Sequence, residues 1–212
     1  MSTNGTTLPL FPLPVVLFPG AELPLHIFEE RYKLMIGKIL EDKIDFGVVF
    51  WDGESGGVAE TGCTAQIQTV NKLDDGRMNL TTLGAKRFRI VDVIQEQPYI
   101  IATIEYLDDQ IDDKTEEEKA TSLVKDITAV LKEILRLSSK LVDRDFEIQG
   151  SIPQDPVKLS FWVASNFYGS PDDQQELLEM CGTEDRLKEE YLVLDSARKH
   201  LAAKVSIKDA LG

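Results

Sequence analysis

The sequence predicts an α+β protein with a β-rich first part, which contains one inserted helix, and a second part made of four helices. Residues 8–109 alternate aromatic and β-branched runs with glycine and proline, which is typical of short strands and turns. Residues 110–212 carry long apolar stripes at helical spacing. The acidic stretch at 108–113 marks the boundary as a solvated linker, and residues 1–7 are predicted to form a disordered tail.

The first part is predicted to form a small, strongly curved barrel or sandwich with at least six strands. Prolines interrupt residues 8–18, so this segment is predicted to be an edge strand or an extended stretch. Apolar residues recur at 3.6-residue spacing from Phe28 through Tyr32 to Leu40 and predict the one helix of this part. Phe28 is thereby placed on the buried face of the helix.

A hairpin is predicted around residues 74–76, because Asp-Asp-Gly supplies the positive φ angles that a tight turn needs. A separate strand is predicted at 87–94. Successive side chains of a strand point to opposite faces, so Arg87 and Arg89 are expected on a solvated face and Phe88 on the buried one.

Four helices are predicted in the second part from their starting signals. Thr115 opens a capping box, and Thr183 caps a long last helix. Asp155-Pro156 and Ser170-Pro171 place proline at the first helical position. The last helix carries a near-heptad apolar run, which fits packing on this chain and pairing with a second copy equally well. The oligomeric state therefore stays open.

Charge and cysteine content restrict the class of function and the compartment. The formal net charge is −14, and an evenly acidic chain repels phosphate, which argues against nucleic-acid binding. Cys63 and Cys181 fit lone thiols in a reducing compartment, and the polar N-terminus has no signal-peptide pattern. No apolar run reaches the roughly 20 residues that span a bilayer. We therefore expect a cytoplasmic protein that does not bind membranes.

Metal and cofactor sites are not predicted. The chain has two histidines, His26 and His200, and no histidine or cysteine pair has the spacing of a zinc site. Gly37-Lys38 lacks the further glycine and the hydroxyl of a phosphate-binding loop. The sequence therefore favours a protein that is not an enzyme.

Several segments resemble one known family. Residues 8–20 read LPLFPLPVVLFPG, residues 23–32 read LPLHIFEERY, and GCTAQI at 62–67 precedes RFRI at 87–90. In this order and spacing they resemble the N-terminal substrate-binding domain of the Lon protease family, and a looser likeness continues to about Leu194. The resemblance implies a PUA-like β pseudobarrel followed by helices, and it implies polypeptide recognition. Because no segment resembles the ATPase or peptidase domain, a free-standing, non-catalytic form is expected.

Candidate peptide-binding residues are mostly the aromatic residues in and near this signature. They are Phe11, Phe18, His26, Phe28, Arg31, Tyr32, Phe50, Trp51 and Tyr168. Trp51 is the best candidate for exposure, because it ends a strand beside a glycine-rich loop. His26 is interpreted either as a buried or capping residue of the strand-to-helix turn or as a groove residue. Arg31 is expected to pair with a nearby carboxylate, and Tyr32 is expected to pack.

Three hypotheses follow for the function. The first is a module that captures unfolded or exposed apolar segments of polypeptides and serves a separate AAA+ protease or chaperone. The second is a dedicated assembly or regulatory factor, or a small-ligand receptor, with one specific partner. The third is a hydrolase with an unrecognised site, in which Cys63 or Cys181 would have to meet His26 in space. The sequence favours the first and names no client.

Overall fold

The computed structural model describes residues 5–53, 56–109, 114–148 and 150–211. Within these ranges the chain is an α+β protein with one six-stranded sheet and five helices, which confirms the predicted class. The strands are β1 (Thr6–Leu13), β2 (Glu22–Ile27), β3 (Phe46–Asp52), β4 (Gly57–Lys72), β5 (Met78–Gln95) and β6 (Ile100–Tyr106). The helices are α1 (Glu30–Asp42), α2 (Lys114–Val142), α3 (Pro156–Phe167), α4 (Pro171–Glu179) and α5 (Thr183–Leu211).

Two compact units make up the chain. The β-rich unit runs to Asp108 and takes up Ala164–Glu179, whereas the helical unit comprises Asp109–Val163 and resumes at Met180. The predicted division into 8–109 and 110–212 differs from this, because the segment 164–179 returns to the strands. Residues 110–113 of the predicted linker lie outside the described residues.

The sheet of the β-rich unit closes on itself. Its strand order is β2-β5-β4-β3-β1-β6, and β6 pairs with β5 as well as with β1. Five strands therefore form a closed ring, and β2 is added to it through β5. β1 runs parallel to β3, and the other pairs are antiparallel.

β5 is one strand of 18 residues, where the sequence predicts two shorter strands. Its first part pairs with β2 and β4, and its last part pairs with β6 alone. Register shifts on both sides bend the strand and let it continue around the ring. Gly84 permits a close crossing in the middle of β5, because a Cβ there would lie 2.1 Å from the carbonyl oxygen of Phe18.

β1 begins earlier than predicted. Thr6 and Thr7, which the sequence assigns to a disordered tail, pair with Ile104 and Thr103 of β6. The neighbouring strand supplies partners for their backbone groups, which favours an ordered strand. Residues 1–4 of the predicted tail lie outside the described residues.

α1 contributes one face to the core of the β-rich unit. Its buried residues are Tyr32, Met35, Ile36 and Ile39, and they join a cluster with Phe11 and Phe46. The prediction for Phe28 is wrong, because the helix begins at Glu30 and the Phe28 side chain is 60% exposed. The apolar spacing continues by chance one turn beyond the real helix start.

α4 packs on the strands, which differs from the prediction that all four C-terminal helices share one bundle. Gln175 donates from Nε2 to the carbonyl oxygen of Thr61 at 3.1 Å, and Arg87 donates from Nη1 to that of Leu178 at 2.7 Å. The prediction of a solvated Arg87 is therefore wrong, since the side chain is buried with Phe88, and only Arg89 is exposed. The helix backbone gives the guanidinium a polar partner inside the unit.

The helical unit contains α2 and α5, each 29 residues long, which pack against one another. The predicted start of α3 is confirmed, because Asp155 accepts a hydrogen bond from the backbone N–H of Lys158 at 2.9 Å. The side chain of Thr115, the predicted cap of α2, lies outside the described residues. Among the described helices none has a stretch long and apolar enough to cross a membrane.

Candidate functional site

An open groove of about 830 Å³ lies on the β-rich unit beside the start of α1. Its lining comes from the end of β1, from β2 and the chain up to Tyr32, from the adjoining ends of β3 and β4, and from the first residue of β6. Six of the nine predicted contact residues line it, namely Phe11, His26, Phe28, Arg31, Tyr32 and Trp51. The fold thus gathers residues from three separate sequence segments on one concave surface.

The floor of the groove is aromatic, and its rings pack on the core of the β-rich unit. The rings of Phe11 and Tyr32 lie 4.1 Å apart between centroids, and Phe46 lies 6.4 Å from Phe11. Phe11 and Tyr32 are almost fully buried by the core beneath them. Burial raises the pKa of the Tyr32 phenol above its usual value, and the charge of Arg31 partly opposes that rise. Tyr32 therefore stays neutral at physiological pH.

The rim of the groove carries large apolar side chains that water contacts. Phe28 is 60% exposed and Trp51 is 45% exposed. The imidazole of His26 stacks on the Phe28 ring at 6.0 Å, with 27° between the planes. Exposure of Trp51 agrees with its position near the end of β3, one residue beyond the last pair between β3 and β1, although Trp51 still pairs with Val58 of β4. Two exposed aromatic rings beside an aromatic floor form a surface that gains free energy when an apolar group covers it.

Arg31 adds a charge that is already balanced. Its Nε donates to the Glu29 carboxylate at 2.8 Å, and its guanidinium lies 4.5 Å from the centre of the Tyr32 ring. The predicted pairing of Arg31 with a carboxylate and the predicted packing of Tyr32 both occur. Because both ionic groups are near half-exposed, their contact contributes little stability but holds the guanidinium over the ring.

His26 is a groove residue in the structure. The interpretation of His26 as a buried or capping side chain is wrong, because it lies exposed on β2 and α1 has no side-chain cap. Its Nδ1 lies 2.6 Å from the Oδ1 of Asn79 on β5, so the ring nitrogen donates to the amide oxygen. Asn79 thereby fixes the imidazole orientation in which the ring stacks on Phe28.

A shallow polar surface continues from the groove past His26. It has a volume of about 410 Å³ and shares Pro24, Leu25 and His26 with the groove. Its other lining residues are Thr69, Asn71, Asn79, Leu80 and Thr81. An extended ligand leaving the groove at this end would meet amides and hydroxyls.

Three predicted contact residues lie elsewhere. Phe18 is completely buried, and neither Phe50 nor Tyr168 lines the groove. Phe18 follows the proline-rich strand but turns into the core near Gly84, where the chain crossing is tight. Phe50 is half-buried and lies at the register shift between Val49 and Trp51, where it has no partner in β4.

Several lining residues were not predicted from the sequence. Pro12, Pro14 and Pro24 border the groove together with Val58 and Ile100. The prolines gave a signal, since they mark edges without hydrogen-bond donors. Val58 and Ile100 gave none, because only the closed sheet brings β4 and β6 to the same place.

Cys63 has the properties of a structural thiol. It is completely buried, and burial raises the pKa of its thiol to about 12. A thiol with this pKa is almost wholly protonated at neutral pH and is a weak nucleophile. No group of three histidine, cysteine or acidic side chains within the described ranges is placed to hold a metal ion.

The family model for the ATP-dependent protease La (LON) substrate-binding domain matches residues 7–196. The chain belongs to this family. The match includes the groove segments of β1, β2, α1 and β3, and it ends within α5. The sequence resemblance that was carried by residues 8–32, 62–67 and 87–90 is thereby confirmed.

Relatives and solved structures agree with membership in the Lon family. The chain is 28% identical over 213 residues to the Lon protease of Anaeromyxobacter dehalogenans and 27% identical over 211 residues to Lon protease 2 of Myxococcus xanthus. Each alignment covers 96% of this chain, which spans 25% of the length of either relative.

Two solved structures have the same fold. A Lon N-terminal domain protein from Xanthomonas campestris has a TM-score of 0.61 at 23% identity, covering 87% of this chain and 96% of that one. The N-terminal domain of Mycobacterium avium complex Lon protease has a TM-score of 0.65 at 15% identity, covering 92% and 98%. At these identities the likeness concerns the fold alone.

Proposed function

We propose that this Lon-family chain is a non-catalytic polypeptide-binding module that holds unfolded or exposed apolar segments in the groove beside α1. The observation that carries the proposal is the groove itself, with the exposed rings of Phe28 and Trp51 above an aromatic floor. The proposed partners are unfolded or partly folded polypeptides, which the module delivers to a separate AAA+ protease or chaperone.

The chemistry of the groove supports a polypeptide ligand. Its lining is mainly apolar, and its ionic pair, Glu29 with Arg31, is internally neutral. An apolar side chain gains about 1.5–3 kcal/mol when it is fully buried, so a few such contacts give useful affinity. The open form of the groove accommodates chains of different sequence, as capture of many clients requires.

The absence of catalysis in the proposal rests on Cys63 and on the matched domain. The Cys63 thiol is buried and protonated, and His26 is engaged with Asn79 on an exposed strand. The family match concerns a substrate-binding domain. We further propose that the closed sheet is a PUA-like pseudobarrel and that the protein acts in the cytoplasm without binding nucleic acid or membranes.

Substitutions of the two rim aromatics test the function. Phe28→Ser and Trp51→Ser are each expected to weaken binding of a reduced, carboxymethylated and permanently unfolded protein by roughly tenfold or more. Fluorescence anisotropy of the labelled unfolded protein gives the dissociation constant. Leu34→Ser is the matched control, because Leu34 is 62% exposed on α1 but does not line the groove.

The outcome separates client capture from the alternatives. Equal affinity of wild-type protein, rim variants and control would place binding outside the groove. No affinity for any unfolded protein, together with one stoichiometric partner recovered from cells, would make the chain a dedicated factor. Peptidase activity lost in Cys63→Ala would contradict the non-catalytic part.

A further inference from the structure

The groove of the proposed function is bordered by a strand edge that pairs with no strand in the described ranges. β2 pairs on one side with β5, and no strand of the described residues pairs with its other side. β1 adds a second partly free edge, since it pairs with β6 only over Thr6–Leu10 and with β3 over Leu10–Leu13. An extended chain lying in the groove would therefore have strand edges beside it.

The direction of the free backbone groups on β2 follows from its pairing. The carbonyl oxygen of Ala21 accepts from the N–H of Gly84 at 2.9 Å, and that of Leu23 accepts from the Thr82 hydroxyl at 2.8 Å. Alternate residues of an antiparallel strand turn their backbone groups to opposite sides. The groups of Pro24 and His26 therefore point away from β5, which is consistent with the missing N–H of Pro24.

Proline makes the two edges unequal. Pro12 and Pro14 remove donors from the β1 side of the groove, and Pro24 leaves only a carbonyl on β2. His26 alone, between these prolines and the start of α1, offers both an N–H and a C=O on the free edge. Among the β2 residues that line the groove, a bound strand thus finds one complete pairing position, at His26, whose ring stacks on the exposed ring of Phe28.

We propose that the groove binds its polypeptide by strand addition to β2, with the main chain of an extended segment paired to His26 and its apolar side chains against Phe28 and Trp51. This mode rests on the proposed function and names its ligand class. Main-chain pairing tolerates many sequences, whereas alternate side chains give preference.

The charged residues in and near the groove indicate which peptide sequences it would prefer. The groove lining carries no net ionic charge at its centre, because Glu29 and Arg31 neutralise each other, so a charged side chain there would lose hydration without a partner. Glu22 is exposed on the same strand face as His26, about 13 Å along the edge by strand rise. The ligand is therefore an extended apolar segment with a basic residue at the end that lies beside Glu22.

An N-methyl scan tests the main-chain pairing. The probe is a fluorescein-labelled peptide of six alternating valine and phenylalanine residues with one lysine at either end. Each amide is methylated in turn, and anisotropy gives the affinity for the full chain. We expect losses of roughly five- to tenfold at alternate amides and little loss between them. An even response along the peptide would overturn strand addition.

Two variants of one residue supply the matched test on the protein. His26→Pro removes the edge N–H and the ring, whereas His26→Ala removes the ring alone. His26→Pro is expected to bind the peptide at least fivefold more weakly than His26→Ala, and Glu22→Lys is expected to shift the preference from a lysine to a glutamate flank. Equal affinity of the two His26 variants would overturn the proposal even if an unfolded protein still binds in the groove.

The result also distinguishes two other outcomes. A dimer of the chain alone in sedimentation velocity that His26→Pro dissociates would make a second copy the occupant of the β2 edge and overturn the peptide assignment. Binding of the unfolded protein that depends on Phe28 and Trp51, without alternation in the N-methyl scan, would retain the proposed function and reject this mode.

Discussion

Two charged residues of α5, Glu190 and Arg186, are buried in the helical unit. Glu190 of α5 is completely buried, and neither of its carboxyl oxygens has a hydrogen-bond partner among the described residues. Arg186, one turn earlier, is also buried, but its Nη2 donates to the Asp109 carboxylate at 2.6 Å and its Nε to the Ser160 hydroxyl at 2.8 Å. The arginine charge is thus balanced by Asp109, and within the described part of the chain Glu190 has no ion pair of its own.

Burial raises the pKa of Glu190 well above its usual value, and the nearby Arg186 opposes the rise only in part. A raised folded-state pKa means that the folded protein binds the proton more tightly than the unfolded chain does. The contribution of protonated Glu190 to the stability of the folded protein is therefore fully present below the pKa of glutamate in the unfolded chain, about 4.3. It is lost as the pH rises through the raised pKa of Glu190 in the folded protein.

Replacement of Glu190 by glutamine is expected to remove this pH dependence. Glu190→Gln should match wild-type stability near pH 4 and exceed it at pH 8 by on the order of 1–3 kcal/mol, because the amide never ionises. Urea unfolding at several pH values measures the difference. Glu189→Gln, at an exposed neighbouring position, is the control and should show no such trend. A difference that shrinks as pH rises would refute the argument.

Residue roles were predictable where local chemistry decides them. Arg31 meets a carboxylate two positions away, and Asp155 caps α3, since both contacts are local in sequence. Arg87 and Phe28 were placed on the wrong sides, because their exposure depends on α4 for the first and on where α1 begins for the second. The alternation of polar and apolar residues along one segment does not indicate which distant element will pack on it, so burial by long-range packing could not be predicted.

Elements were predictable from turn and cap signals more than from strand composition. Proline and N-cap signals placed the starts of α3 and α4, because these signals act on the backbone directly. The continuity of β5 was missed, since a bent strand with bulges contains the glycine and charged residues that usually separate two strands. The groove prolines were visible in the sequence, but the pairing of the strands around them was not.

The residue that follows the C-terminal end of α1 has a left-handed backbone conformation, and its effect on stability can be tested. Lys43 has φ 54° and ψ 47°, a conformation that costs a side-chain-bearing residue roughly 1–2 kcal/mol and costs glycine little. Lys43→Gly is expected to stabilise the protein by about 0.5–1 kcal/mol after the added entropy of the unfolded glycine. Thermal unfolding measures the shift.

Lys38→Gly is the matched control, because Lys38 is an exposed residue inside α1 with right-handed helical geometry. Glycine there should destabilise the protein by about 1 kcal/mol. A decrease in stability for both variants would show that the conformation of Lys43 carries no strain.

At the scale of the whole molecule, the fold class could be predicted from the sequence, whereas the return of the chain from the helical unit to the β-rich unit could not. The strand-rich and helix-rich halves differ plainly in pattern, and the family resemblance covered both. α4 belongs to the β-rich unit, and its hydrogen bonds to the strands include those from Gln175 to Thr61 and from Arg87 to Leu178. A glutamine or an arginine in the sequence does not indicate which residue about a hundred positions away it will contact.

Net charge predicts how salt concentration affects binding of the proposed peptide ligand. A charge of −14 attracts cationic chains and repels anionic ones over a distance set by the Debye length, which falls from about 30 Å at 0.01 M salt to about 8 Å at 0.15 M. The association rate of a lysine-flanked apolar peptide should therefore fall roughly tenfold between these salt concentrations, whereas that of a glutamate-flanked peptide should rise. The dissociation rates should change little, because the groove contacts are mainly apolar. Stopped-flow anisotropy measures both rates, and equal salt dependence of the two association rates would show that the acidic surface serves solubility and does not steer the ligand.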